Sequence, residues 1–148
     1  MFTKRELNSI EKAKKILEKK ITNNPIFTLS STARDFCQLA LAHHEKEVFG
    51  VIFLDNKSKL IKFEKMFFGT ITSCNVYARF IVKRALELSA VSVLFSHNHP
   101  SDSLAESEDD LKITKSLKSC LKLFDIQVLD HIIVTKKETL SLAEKGLL

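Results

Sequence analysis

Residues 90–110 read AVSVLFSHNHPSDSLAESEDD. An apolar run gives way, past Phe95, to a segment where imidazoles, hydroxyls and carboxylates crowd together. The first half has the make-up of a buried strand. The second half leads into a helix, because Ser107 stands three residues before Asp110 in the spacing of a capping box. Residues two apart in an extended chain project to the same side, about 6.6 Å apart at Cα, so His97 and His99 can close on one ion. Asp110, in the first turn of the helix, offers a third ligand. Two neutral imidazoles and a carboxylate suit zinc, and three protein ligands leave a fourth position open for water, as in catalytic sites. A water so held has its pKa drawn to about 7. Each piece also has a plainer reading. Ser107 and Asp110 can be a cap alone, a lone H-x-H occurs by chance, and Asn98 and Pro100 can mark a turn.

Outward from this stretch, helices and strands interleave. Residues 4–21 carry Leu7, Ile10, Ala13 and Leu17 at helical spacing. A second helix is expected from Ser31, with Ala33, Phe36, Cys37, Ala40 and Leu41 on one face, after a break at NNPIF. It runs out near His43 and His44, where an imidazolium would meet the negative helix end. EVFGVIFLD and LIKFEKMFF read as strands joined by the polar turn DNKSK, the first interior and the second nearer an edge. A helix over 76–88 should turn Phe80, Ile81, Ala85 and Leu88 inward. The helix from Ser107 should turn Ile113, Leu117, Cys120, Leu121 and Phe124 inward, with Lys112, Lys115, Lys118 and Lys122 as a solvated stripe. FDIQVLDHIIVT gives a last long strand and TLSLAEKG a short tail element. The expected fold is α/β, a mixed β-sheet with flanking helices.

With 148 residues, 45% of them hydrophobic and 28% charged, the composition is that of a globular chain. Three dispersed cysteines, Cys37, Cys74 and Cys120, argue against a disulfide framework and fit a reducing cytoplasm; Cys74 reads as a small buried residue. No apolar run is long enough to span a bilayer, so no membrane partner is expected. Of the net charge of +5, the first twenty residues carry +4, from seven Lys or Arg against three Glu. A basic helix of that kind is read as a solvated face before a nucleic-acid reader.

The string H-x-H-x(7)-S-x(2)-D, fulfilled by His97, His99, Ser107 and Asp110, resembles the JAMM metalloprotease signature. FFGTITS, VKRALELSAVSVLFSHNHPS, VLDHIIV and SLAEKGLL are similar to the RadC family of JAMM proteins, from about residue 30 onward. The resemblance implies a JAMM/MPN domain of cytidine-deaminase-like three-layer architecture over residues 29–148, after a helical leader over 1–28. No glycine precedes Gly50, so a short form without the family's helix-hairpin-helix module is expected. It further implies Zn2+ on His97, His99 and Asp110, and Ser107 as the oxyanion donor. Glu47, in an E-x-F context, matches the general acid/base; Glu45 is the alternative. A carboxylate opening an apolar strand is costly unless used or paired. His131 matches a D-H pair, and either Asp130 or His131 can support a ligand from behind, since only one faces the metal side. Asp102 stands where the family usually has glycine and Glu106 where it has proline. Both bear on loop shape and substrate access, and the added acids disfavour a DNA phosphate nearby.

The function expected is a zinc-dependent hydrolase acting on a peptide or isopeptide. A non-catalytic DNA- or protein-associated module is the alternative, suggested by the basic leader and the family's association with DNA repair. A zinc deaminase requires H-x-E and P-C-x-x-C, which are absent. An HNH-type nuclease spreads its residues over a ββα unit instead of placing three in a row.

Overall fold

The run after Glu47 becomes β1 (Val48–Leu54), buried at all seven positions. A strand dry on both sides needs neighbours at both edges and a layer over each face. The structure, a computed structural model, describes residues 2–23, 30–70 and 76–148. Cys74 and most of the NNPIF break lie outside the described residues. Around β1 stand α1 (Lys4–Asn23), α2 (Ser30–Leu41), β2 (Leu60–Phe68), α3 (Ala78–Glu87), β3 (Ser92–Asn98), α4 (Glu108–Lys122), β4 (Gln127–Val134) and β5 (Thr139–Ser141). The sheet order is β2-β1-β3-β4-β5. Among the described residues only β3 and β4 pair in parallel, the other three pairs being antiparallel. The sheet is therefore mixed and the fold α/β, with β1 interior and β2 at an edge as expected.

Strand alternation divides the core into two layers. Phe49, Val51, Phe53, Val93 and Phe95 point toward α3 and α4, where Ile81, Ala85, Ile113, Leu117 and Leu121 meet them. Ile52, Leu54, Leu94, Ile132 and Val134 point the other way, onto Ala33, Phe36, Cys37, Ala40 and Leu41 of α2. The whole expected face of α2 is thus buried. From α1, Leu17 packs against this second layer, while Leu7 is 41% exposed and off the core. No helix among the described residues is long and apolar enough to cross a membrane.

Two inward assignments change. Phe80 is 45% exposed, because the buried stripe of α3 runs through Ile81, Val82 and Ala85 and Phe80 falls on the far side. There it meets the Tyr77 ring and the Arg79 guanidinium. Phe124 is also exposed. The helix ends at Lys122, Asp125 turns the chain at φ +55°, and Ile126 fills the core position instead. Lys112, Lys115, Lys118 and Lys122 are exposed, as the stripe predicted.

The imidazolium expected beyond α2 is also overturned. His44 is pushed down to about 4, first by burial and then by the charge of Lys65, whose ammonium donates to His44 Nε2 at 2.9 Å. His43 is lowered for the same two reasons. The favour of a helix end for positive charge loses here to desolvation and a competing cation.

Phe36→Ala, which removes a fully buried ring lying edge-on to Phe63 at 5.2 Å, is expected to destabilise the fold by about 3–5 kcal/mol, measured by denaturant unfolding. His44 has its folded-state pKa depressed, so the unfolded chain takes the proton first. Its contribution to stability is therefore lost as pH falls from 6.5 toward about 4. The acid limb of stability against pH should be shallower in His44→Gln.

Candidate metal centre

The centre lies where β3 ends and α4 begins, outside the carboxyl ends of the parallel β3–β4 pair, a common position for ligand sites in such sheets. His97, next to last in β3, points to the α4 side. It is fully buried, with its ring stacked on Phe49 at 6.4 Å between centroids and 9° between planes. His99 follows on the same side. Asp110, 2% exposed, reaches them from the first turn of α4.

His97 Nε2 lies 2.9 Å from His99 Nε2. Asp110 Oδ1 is 3.0 Å from His97 Nε2, and Oδ2 is 3.3 Å from His99 Nε2. A small divalent cation with bonds of about 2.0–2.1 Å separates tetrahedral ligands by about 3.3 Å. The triangle is nearly of that size and needs only slight widening to hold an ion. The outward nitrogens are already engaged. His99 Nδ1 donates to the Ser103 carbonyl at 2.7 Å, which directs a bare Nε2 inward. His97 Nδ1 meets His131 Nε2 at 2.8 Å. Electron-rich atoms this close repel unless a proton or a cation sits among them. The three residues together could hold a metal ion.

Charge follows geometry. Burial opposes ionisation of Asp110, but the adjoining imidazoles of His97 and His99 outweigh it, and the carboxyl sits well below the usual range. The neighbouring Asp110 carboxylate in turn raises His99. Burial keeps His131 well below the ordinary histidine value, hence neutral.

The plain and the chemical readings of Ser107 and Asp110 hold together. Ser107 Oγ accepts from Asp110 N–H at 3.0 Å, and Asp110 Oδ2 accepts from Ser107 N–H at 2.8 Å. This is a complete capping box, and it aims the carboxylate at the histidines. The hydroxyl proton of Ser107 is left free by that bond.

Asp102 does adopt the left-handed conformation, at φ +58°, where glycine is at ease and aspartate is among the tolerated residues. The turn is closed by Asp102 N–H donating to the His99 carbonyl at 3.1 Å, and Asp102 Oδ1 accepts from Lys136 N–H at 2.9 Å. Glu106 takes both carboxylate oxygens to Lys145 Nζ, at 2.9 and 2.7 Å. Both departures from the family pattern therefore have partners that hold the loop.

Glu47 is half-buried just before β1, with its carbonyl accepting from Gly69 N–H at 2.9 Å. Its charge contributes to raising His99. Glu45 is exposed in a bend. Of the Asp130–His131 pair, His131 faces the centre; Asp130 turns away to accept from the Ser141 hydroxyl at 2.6 Å.

Two residues escaped the sequence reading. Asn98 is no turn residue but lies buried in β3. Its amide donates to the carbonyls of His44 and Lys46, both at 3.1 Å, and accepts from Val48 N–H at 2.7 Å. It thus clamps the segment bearing Glu47 beside the histidines. Its place between His97 and His99 on an alternating strand, and so on the opposite face, was the available signal. Thr114, one helical turn past Asp110, carried none.

The family model of the RadC-like JAB domain matches residues 27–147. Similar proteins, each named UPF0758 protein, include one from a Polaromonas strain, 42% identical over 94% of this chain and 62% of its own length. One from Cellvibrio japonicus is 50% identical over 76% of this chain and 50% of its own. One from Vibrio cholerae is 41% identical over 93% of this chain and 86% of its own. The chain thus spans about half to two thirds of the first two relatives.

A divalent cation at 100 times its dissociation constant should raise the unfolding free energy by about 2.7 kcal/mol. The corresponding thermal shift should vanish in His99→Ala. Ser107→Ala should lose about 1 kcal/mol of stability through the cap and weaken metal binding, seen by titration calorimetry.

Proposed function

The chain belongs to the RadC-like JAB domain family, and on that premise we propose that it is a zinc-dependent hydrolase of peptide or isopeptide bonds. The observation that carries this reading is the largely buried convergence of His97, His99 and Asp110 at 2.9–3.3 Å. Zinc best suits two imidazoles and a carboxylate, and when bound it supplies Lewis-acid activation of a water near neutral pH.

The other roles belong to residues around the triangle. Glu47 takes a proton from the attacking water and later returns it to the departing amine. Its support is its half-buried place at the head of β1 and the reach of its charge to His99. Ser107, its lone pair engaged by Asp110 N–H, has a proton to offer the carbonyl oxygen as negative charge grows there. Glu106, Glu108 and Asp109 around the mouth disfavour a phosphate backbone at this point.

A DNA- or protein-associated module is the second reading, favoured by the exposed Lys4, Arg5, Lys12, Lys15 and Lys19 of α1. Salt-dependent DNA binding that disappears on removal of residues 1–22 is its signature.

Purified protein is expected to carry about one zinc per chain, one ion for this triangle. Glu47→Gln should retain the zinc while losing at least about 100-fold in hydrolysis of a peptide and isopeptide panel. Metal analysis alongside the assay checks both, and a wild-type chain without affinity for zinc would sink the proposal.

A further inference from the structure

We infer that Thr114 and His131 are positioning residues which fix the proton of His97 on Nδ1 and so keep its Nε2 bare for the cation. This rests on the reading of His97, His99 and Asp110 as metal ligands.

The Asp110 carbonyl oxygen can only accept, and Thr114 Oγ1 lies 2.6 Å from it. The one hydroxyl proton of Thr114 must lie between them, since two oxygens that close would otherwise repel. Thr114 then has only lone pairs left for His131 Nδ1, at 2.5 Å, so the proton of His131 is on Nδ1. His131 is fully buried against the rings of Phe49 and Phe95. Its side-chain partners among the described residues are Thr114 and His97, with no carboxylate. Such a ring is neutral and carries one proton. His131 Nε2 is thus an acceptor, and His97 Nδ1, 2.8 Å away, is its donor. The hydrogen bond at one ring nitrogen decides what the other can do. His97 therefore turns a lone pair toward His99 and Asp110.

The relay closes on itself. Asp110 offers its carboxylate to the centre and its own carbonyl to Thr114, so one residue both joins the triangle and anchors the proton order behind it. The path crosses from α4 to β4 to β3 and ties the three elements that meet at the site.

Long-range 1H–15N correlation spectra of the imidazole rings test the proton order without metal. His131 and His97 are both expected to be protonated at Nδ1, with His131 Nε2 bare. Zn2+ affinity, read by competition with a chelating indicator, should fall about 10- to 100-fold in Thr114→Val and recover in Thr114→Ser. A His131 proton on Nε2, or a folded Thr114→Val protein binding Zn2+ as tightly as wild type, overturns the inference. Should Thr114→Val fail to fold, the spectra of the wild-type protein and of Thr114→Ser still decide the proton order. A wild-type chain with the expected proton order but no Zn2+ affinity overturns the metal reading alone and supports the relay.

Discussion

Three electron-rich side chains, meeting at 2.9–3.3 Å and largely withdrawn from water, are the constraint around which this molecule is arranged. In a medium of low dielectric their mutual repulsion is not damped by solvent, so the arrangement calls for a proton or a cation among them. The rest of the fold serves to keep them there. The β1–β3 pairing sets Phe49 against His97, and the crossover from β3 through α4 to β4 brings Asp110 over both rings. No part of the triangle is left to a free side chain: each of its members is held from behind by a hydrogen bond.

The helix start shows how little extra material the site uses. A capping box satisfies donors that any α-helix leaves open at its first turn. Here the carboxylate that completes the box also faces the histidines. Local folding chemistry and site chemistry share one residue, so the first turn of α4 and the centre should form or fray together. The loop before it is fastened in the same economical way. Asp102 turns the chain and holds Lys136 N–H, and Glu106 engages Lys145. These two side chains stand in for the glycine and proline the family usually places there.

Much of this was legible in the residue order. The fully apolar β1 read as interior, the face of α2 was assigned residue by residue, and the spacing of His97, His99 and Asp110 named the triangle. The errors came where a neighbour outweighed a local preference. Phe80 looked inward by its apolarity, but the stripe of α3 runs one residue later. Phe124 lost its place to Ile126 because the chain turns at Asp125. His43 and His44 were read from the helix end alone, whereas burial and Lys65 decide their charge. Asn98 was read as a turn because its partners, residues 44–48, are distant in sequence.

The sequence by itself determined the elements, their order and which two histidines and aspartate converge, since periodicity and spacing are local properties of a chain. Only the tertiary structure decided which member of the Asp130–His131 pair supports the site. Along β4 the register steps from Val93↔Val128 to Leu94↔Asp130, leaving Leu129 as an extra residue. Such a bulge inverts the side on which every later residue points. Without it Asp130 would lie opposite Phe95 and share the face of His97; with it His131 does. A strand's alternation can be read from its residues, but its phase against a neighbour exists only once the two are paired.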